Sequence, residues 1–265
     1  MSGHWTDELF IKHGEIFLLF LEKDLPQAGS EVEALTKIFS EFSVPAGSRV
    51  LDVCCGIGRH SIGLALKGFD VTGVDISRLS IERAKERARE NGVENKTSFI
   101  QGDIRKILDV LSPIGKKFNA VINMGTSIGY WTDEADRTIL RQLHRLAELD
   151  CLLIIDITNR DYVVRHFQPF GISVVEGKPT YIRTEERKLM LETSRMENIW
   201  TFYRKDRDDL KHAATILLNH RLYCLHELVS LLKETGWSYL RSYGGLSLEP
   251  VTPDAHGIVI VGRKV

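Results

Sequence analysis

In the stretch VLDVCCGIGRHSIGLA, Val50 to Ala65, two adjacent cysteines sit in a glycine-rich loop with an arginine and a histidine directly behind them. Thiolates beside an imidazole can hold a metal or carry redox chemistry. Glycines can instead bring the backbone close to a cofactor. Adjacent cysteines are badly spaced for closing a tetrahedral zinc site, and no second cysteine pair lies nearby to complete one. A vicinal disulfide is strained, and in a reducing compartment it is short-lived. The expectation is therefore a cofactor loop with no metal.

The loop follows the apolar run RVLDVC and opens RHSIGLALKG, which reads as a helix closed by Gly68. A glycine turn at the carboxyl end of a first strand is the switch point where doubly wound sheets bind ligands. Gly56 and Gly58 allow close backbone approach. Asp75 ends the second strand, DVTGVD, 17 residues after Gly58. A carboxylate there can accept hydrogen bonds from both ribose hydroxyls of an adenosine. These features fit either a nicotinamide dinucleotide or S-adenosylmethionine. Asp52, just before the loop, is a poor neighbour for a pyrophosphate and a good one for an ammonium group. Asp103, in QGDIRK at the end of the third strand, is placed to accept from an adenine amino group. The chain also lacks a second mononucleotide-binding half, which argues against a nicotinamide oxidoreductase.

The elements that must position these residues form an alternating pattern. DVTGVD, TSFIQGD, KFNAVINM and CLLIIDI read as strands two to five, the last apolar throughout like one buried on both faces. Between them lie SRLSIERAKERARENG, capped by Ser77 and stopped by Gly92, and the amphipathic TDEADRTILRQLHRLAEL. Such alternation predicts a parallel sheet with helices on both faces. Residues 1–48 read as helical, broken at Pro26 and Gly29 and restarting with Ser30 as N-cap and Glu33 in a capping box. Residues 172–223 are rich in β pieces without helical period, and the chain then returns to a helix and two strands.

Taken in order, VLDVCCGIGRHSIGLALKGFDVTGVDIS, GDIR, FNAVINMGTSIGYW, LLIIDITNRD, HRLYCLHELVSLLKETGW and VIVGRK resemble a class I S-adenosylmethionine-dependent methyltransferase. The chain is most similar to the branch with a G-x-G-R-H first motif and an S-x-G-Y segment after the fourth strand. The resemblance implies a Rossmann-like seven-stranded α/β sheet with its last strand antiparallel. It implies a helical lid over 1–48, a methyltransferase core over 49–160 and 221–265, and an antiparallel β substrate cover over 161–220. Gly56 and Gly58 would line the methionine part of the cofactor, with Asp52 supporting the loop or meeting the amino group. Asp75 would hold the ribose, Ile76 would pack on the adenine face, and Asp103 and Ile104 would meet the adenine edge. Asn123, Met124 and Gly125 would pass near the methionine and sulfonium. Cys55 takes the small-residue position before the loop, Arg59 would reach the cofactor carboxylate, and His60 would tie down the lid. Cys54 is expected in the core. The family usually enters its fifth strand through a Pro-Gly-Gly turn, and this chain has ELDCLL instead.

On the acceptor side, the family's topology brings forward Tyr130, Trp131, Asn159, Arg160, His166, Arg221 and Tyr223, with Tyr130, His166 and Tyr223 as the catalytic candidates. Trp5, His13 and Phe17 are candidates for the lid. The expected reaction is in-line transfer of a methyl group to nitrogen or oxygen of a small molecule, leaving S-adenosylhomocysteine. A nucleobase amino group is disfavoured, because enzymes for it carry an Asn/Asp-Pro-Pro-aromatic turn where this chain has NMGTSIGY. Transfer to tRNA or protein is the alternative, and a non-catalytic cofactor-binding module is the weakest reading. The β insertion carries Arg183, Arg187, Lys188, Arg195, Arg204, Lys205 and Lys211 among acids, a pattern more typical of a solvated face than of an RNA strip. Its ribbon could pair with its copy in a homodimer.

Composition agrees with an ordinary globular protein: 265 residues, 43% hydrophobic and 27% charged, enough for one core with an insertion. A net charge of -1 gives no global pull toward nucleic acid. No run approaches the roughly 18 apolar residues of a membrane span. MSGHWTDELF lacks the basic and apolar regions of a signal peptide. Four cysteines do not make a disulfide framework, so a cytoplasmic location is expected.

Overall fold

Where the sequence alternates apolar runs with amphipathic helices, the chain builds a seven-stranded sheet, seen in a computed structural model that describes residues 3–265. Residues 1 and 2 of the expected lid lie outside the described residues. The chain enters through α1 (Trp5–Asp7), a π turn over Glu8–Lys12, α2 (Gly14–Lys23) and α3 (Ala28–Glu41). Then follow β1 (Arg49–Val53), α4 (Arg59–Leu66), β2 (Asp70–Asp75), α5 (Arg78–Glu90), β3 (Thr97–Gln101), α6 (Ile107–Leu111), β4 (Phe118–Asn123), α7 (Asp133–Leu146) and β5 (Ala147–Thr158). Beyond the short α8 (Arg160–Arg165) come β6 (Phe170–Val175), β7 (Tyr181–Met190), β8 (Arg195–Asp206) and β9 (Asp209–Arg221). The chain finishes with α9 (Leu225–Glu234), β10 (Trp237–Tyr243) and β11 (Gly257–Lys264).

The main sheet runs β10-β11-β5-β4-β1-β2-β3. β1 through β5 pair in parallel, and β11 pairs antiparallel with both β5 and β10. Chain order reverses between β1 and β4, which opens a crevice at their carboxyl ends. Alternate residues of the central strands feed two cores. Val50, Ala120, Ile122, Leu152 and Ile154 pack with α3, α4 and α5, while Leu51, Val53, Val121, Leu153 and Ile155 pack with α7 and α9. Burial on both faces explains why these strands read as unbroken apolar runs.

β6 to β9 form a separate four-stranded antiparallel sheet rather than joining the main one. One face of it, with Phe202, Ala214, Ile216 and Leu218, packs on Trp5, Leu9 and Ile16 of the N-terminal segment. The Trp5 indole N–H also donates to the Asn219 carbonyl at 3.1 Å. The apolar residues on several faces of the N-terminal segment are thus covered by the insertion.

Two local expectations need correction. Ser30 does not cap a new helix: α3 begins at Ala28, and the Ser30 hydroxyl donates to the Gln27 carbonyl at 2.9 Å. Pro26 lies in a 3-10 turn over Leu25–Gln27, where a missing N–H and a fixed φ do no harm, so the chain turns without a new start signal. β5 also begins earlier than expected. It takes in Glu148, Leu149 and Asp150, with Asp150 at a φ of 64° in place of the glycine turn. Among the described residues no helix is long and apolar enough to cross a membrane.

Candidate active site

β1 ends in a sharply turned loop. Cys54 and Gly56 have φ of 60° and 53°, and Gly58, at 72°, stands before the first turn of α4. The Cys55 amide donates to the Val74 carbonyl at 3.1 Å, which ties the loop to the end of β2. Gly58 is required by packing: a Cβ there would come within 2.8 Å of the Phe99 ring. Gly56 faces the other way, and a Cβ on it would meet Leu21 of α2 at 3.3 Å. The lid therefore rests directly on the loop.

Beside this loop lies a cavity of about 300 Å³, at the lower end of the range of about 300–1,000 Å³ usual for small-molecule sites. Cys55, Gly56, Arg59, Asp75, Ile76, Asp103, Ile104, Met124, Gly125 and Tyr130 all line it. Asp75 is the best organised of these. One carboxylate oxygen accepts from the Gly56 amide at 2.9 Å, and the other accepts from the Ser77 amide at 2.8 Å. Burial pushes its pKa up to about 6, against the pull of those two amides. Each oxygen keeps a lone pair for a further donor.

Asp52, Asn123 and Gly58 stand one layer back. Asp52 does not line the cavity; it is buried, accepts from the Ser61 hydroxyl at 2.6 Å, and burial raises its pKa. Asn123 is fully buried, with its amide donating to the Val53 carbonyl at 3.1 Å and its oxygen lacking a partner among the described residues. Gly58 belongs to the turn rather than to the wall. Arg59 and His60 share the Glu31 carboxylate of α3, with His60 at 2.8 Å. His60 thus fastens the lid, and Arg59 does so too.

Five acceptor-side expectations are displaced, and each has a physical reason. Tyr223 is buried outside the cavity, with its hydroxyl donating to Asp136 at 2.7 Å. The other Asp136 oxygen accepts from the Gly129 amide at 3.2 Å, so this pair pins the loop that carries Tyr130. His166 stands near the surface, 3.0 Å from Asp254 and against the Tyr162 ring, and lines no part of the cavity. Asn159 caps α8 and donates to the Thr252 and Ala255 carbonyls, Arg160 reaches the Ser194 hydroxyl, and Arg221 is buried against Glu227 and the Tyr223 ring. His13 is also outside the wall, and Trp5 backs it from the lid, while Phe17 and Trp131 line it. Cys54 packs against the core as expected, and it lines the cavity as well.

A consequence can be measured. His166→Ala is expected to leave methyl transfer within about twofold, since only a surface pair is lost. Tyr223→Phe is expected to lower stability by about 1–2 kcal/mol through the lost buried hydrogen bond, with affinity for S-adenosylhomocysteine unchanged. Thermal melts and calorimetry on the two variants check both outcomes.

Sequence reading missed Arg105, which stands behind the wall, and several residues that line it. Arg105 clasps Asp103 through contacts of 2.6–3.0 Å and lies 5.1 Å from the Trp131 ring centre. Burial raises the Asp103 pKa, but Arg105 outweighs it and holds the carboxyl below its usual range. The spacing D-x-R was the available signal for that clasp. Phe10, Phe20, Asp24, Ser127 and Trp200 also line the cavity, and only their location in the fold identifies them.

A loop and carboxylate cradle at the switch point of a β10-β11-β5-β4-β1-β2-β3 sheet defines the class I S-adenosylmethionine-dependent methyltransferase fold. Residues 50–149 match the family model described as a methyltransferase domain, so the chain carries such a domain. The glycine/sarcosine N-methyltransferase of Aphanothece halophytica is 31% identical over 163 residues, 59% of this chain and 58% of that one. An S-adenosylmethionine-dependent methyltransferase from Clostridium acetobutylicum superposes with a TM-score of 0.74 at 16% identity, covering 89% and 91% of the two chains. The sugar N-methyltransferase KedS8 from Streptoalloteichus superposes at 0.69 and 19% identity, covering 89% and 87%. Two ribosomal RNA large-subunit methyltransferases of Methanocaldococcus jannaschii, so named, match over 80 and 87 residues at 35% and 31% identity. Those matches cover 30% and 32% of this chain and span about a fifth of the relatives' own length, 21% and 22%.

The residues present fit an adenosyl sulfonium cofactor. Asp75 offers two oxygens beside the glycine turn, Ile76 and Ile104 give apolar walls for a base, and the open Gly125 leaves room beside Met124. Among the described residues no cluster of three or more metal-binding side chains occurs.

Proposed function

We propose that this protein transfers the methyl group of S-adenosylmethionine to a nitrogen or oxygen of a small molecule. The observation that carries the reading is one enclosed cavity whose floor is the Asp75–Gly56 cradle and whose roof is the aromatic N-terminal lid. When bound, the cofactor supplies an electrophilic methyl on a positively charged sulfur. In this reading Asp75 holds the ribose, Asp103 meets the adenine edge, and Cys55, Met124 and Gly125 flank the methionine arm. Asp52 and Asn123 stiffen that floor. Tyr130 faces the acceptor space, where burial raises its pKa and keeps the hydroxyl protonated as a donor. Holding donor and acceptor in line can supply on the order of 7–11 kcal/mol of the barrier.

A small acceptor is favoured over RNA or protein by the placement of the basic residues in the insertion. Arg183 and Arg187 both bind the buried Glu185 at 2.7 Å, Arg195 is held by Asn219, and Lys211 pairs with Asp206 at 2.5 Å. These four are paired within the sheet; Lys188, Arg204 and Lys205 are exposed. Two further parts of the reading are a homodimer and a cytoplasmic location. Phe170, Ile172 and Val174 on one exposed face of β6 support pairing of two copies, and four unpaired cysteines suit a reducing compartment. Labelled-cofactor transfer to pooled metabolites, tRNA and protein tests the whole: label in the small-molecule fraction is the expected result.

Binding of S-adenosylhomocysteine should depend on pH. In the free protein Asp75 titrates near 6, above its usual value, so its ionisation opposes stability as pH rises from about 4 through 6. Ribose hydroxyls donate to the ionised carboxylate and lower that pKa. Affinity is therefore expected to rise from pH 5 to 7 and then level off, with a proton released on binding near pH 6. Calorimetry in buffers of different ionisation enthalpy reads the proton, and Asp75→Asn should abolish the dependence.

A further inference from the structure

The acceptor half of the cavity has a composition of its own. Six aromatic rings, Phe10, Phe17, Phe20, Tyr130, Trp131 and Trp200, form most of its wall. Tyr130 packs edge-on against Trp5 at 4.7 Å, and Phe10 packs likewise against Phe17 at 4.7 Å, so the rings brace one another. Besides Asp75 and Asp103 at the strand ends, the cavity wall carries one more carboxylate, Asp24, supplied by the lid. Asp24 is the C-terminal cap of α2, so the negative end of that helix and the carboxylate act together. Its backbone amide and carbonyl bond to Phe20 and Gln27, and no ion pair engages its side chain among the described residues.

Cations are conspicuously occupied elsewhere. Arg59 and His60, the basic residues of the cavity wall, both bind Glu31. Arg183 lies 4.8 and 4.3 Å from the Phe20 and Trp200 ring centres, but it is outside the wall and its charge is met by Glu185 at 2.7 Å. An acceptor carrying a carboxylate or phosphate would find rings and a like charge, with no cation to receive it. An ammonium group would find a carboxylate, a helix C-terminus and aromatic faces, all of which attract it.

We propose that the acceptor is a lipophilic amine without a carboxylate or phosphate of its own, recognised by Asp24 and the six-ring wall. The proposal rests on the methyltransferase reading above and separates this site from that of an amino-acid acceptor such as glycine. The amine arrives as its ammonium form, held by Asp24, and sheds one proton to solvent. Its nitrogen lone pair then forms the N–C bond as the S–C bond breaks. Positive charge passes from sulfur to nitrogen, leaving a thioether and a methylammonium product.

Calorimetry on the full chain saturated with S-adenosylhomocysteine tests this with three probes of one shape: phenethylamine, 2-phenylethanol and 3-phenylpropionate. Phenethylamine is expected to bind at least about tenfold more tightly than 3-phenylpropionate. Asp24→Asn should weaken phenethylamine by about tenfold and leave 2-phenylethanol within about twofold, while Asp24→Glu should retain most of the preference. Equal or tighter binding of the carboxylate, an unchanged amine affinity in Asp24→Asn, or no amine binding at all overturns the proposal alone. Failure of S-adenosylhomocysteine itself to bind overturns the methyltransferase reading, and the proposal with it.

Discussion

Asp75→Ala is expected to weaken binding of S-adenosylhomocysteine by about 3 kcal/mol, roughly a hundredfold. Two losses add. The ribose hydroxyls lose a charged acceptor, and charge-assisted hydrogen bonds are the strong ones. The Gly56 and Ser77 amides also lose their partner, so the loop that shapes the cofactor site loosens. One gain opposes them, because removing a carboxylate whose pKa burial has pushed up relieves strain in the free protein. Stability of the free variant should thus fall much less than its affinity. Calorimetry showing unchanged affinity would refute the ribose assignment, whatever the melting temperature does.

Gly129→Ala should be the most damaging single methyl in the acceptor half. Gly129 sits at a φ of 100°, and a Cβ there would stand 2.5 Å from the Arg221 carbonyl oxygen. The two backbones are locked at that point by the Arg221 amide, which donates to the Gly129 carbonyl at 2.8 Å. The unfavourable backbone conformation contributes about 1–2 kcal/mol and the steric clash about 1–3 kcal/mol. A melting temperature lower by roughly 4–10 °C follows for a chain of this size. Displacement of the adjacent Tyr130 should abolish most methyl transfer. Gly125→Ala is the control, since its φ of 75° is similar but a Cβ there meets nothing within 4 Å. Equal melting temperatures for the two variants would show that the approach of Arg221 is not what requires glycine at 129.

The cavity residues at the strand ends were legible in the sequence because they are local. Gly56, Asp75 and Asp103 each end a strand, and strand ends can be read from apolar runs and turn residues. The acceptor half was not legible for the opposite reason. Phe10, Asp24, Tyr130 and Trp200 come from the N-terminal helices, the loop after β4 and the second sheet, and only packing brings them together. Tyr223 and His166 show the same limit. Motif position placed both near the acceptor, but a buried carboxylate, Asp136, claimed one and a surface carboxylate, Asp254, the other. The four-stranded sheet was recognised from its residue types, yet nothing in them told that it would stand apart from the main sheet.

The two walls of the cavity have separate addresses along the chain. In the proposed reading the cofactor meets residues 54–57, 59–60, 74–77, 80, 102–104 and 124–125, while the acceptor faces wall residues drawn from 6–24, 127–131 and 200. Substrate preference can therefore be rewritten with little disturbance of the methyl donor, provided that Leu21 and Glu31, where the lid touches the glycine loop and its helix, are kept. A designer, or natural drift, needs to alter only the lid, one loop and one strand to turn the same engine toward a different molecule.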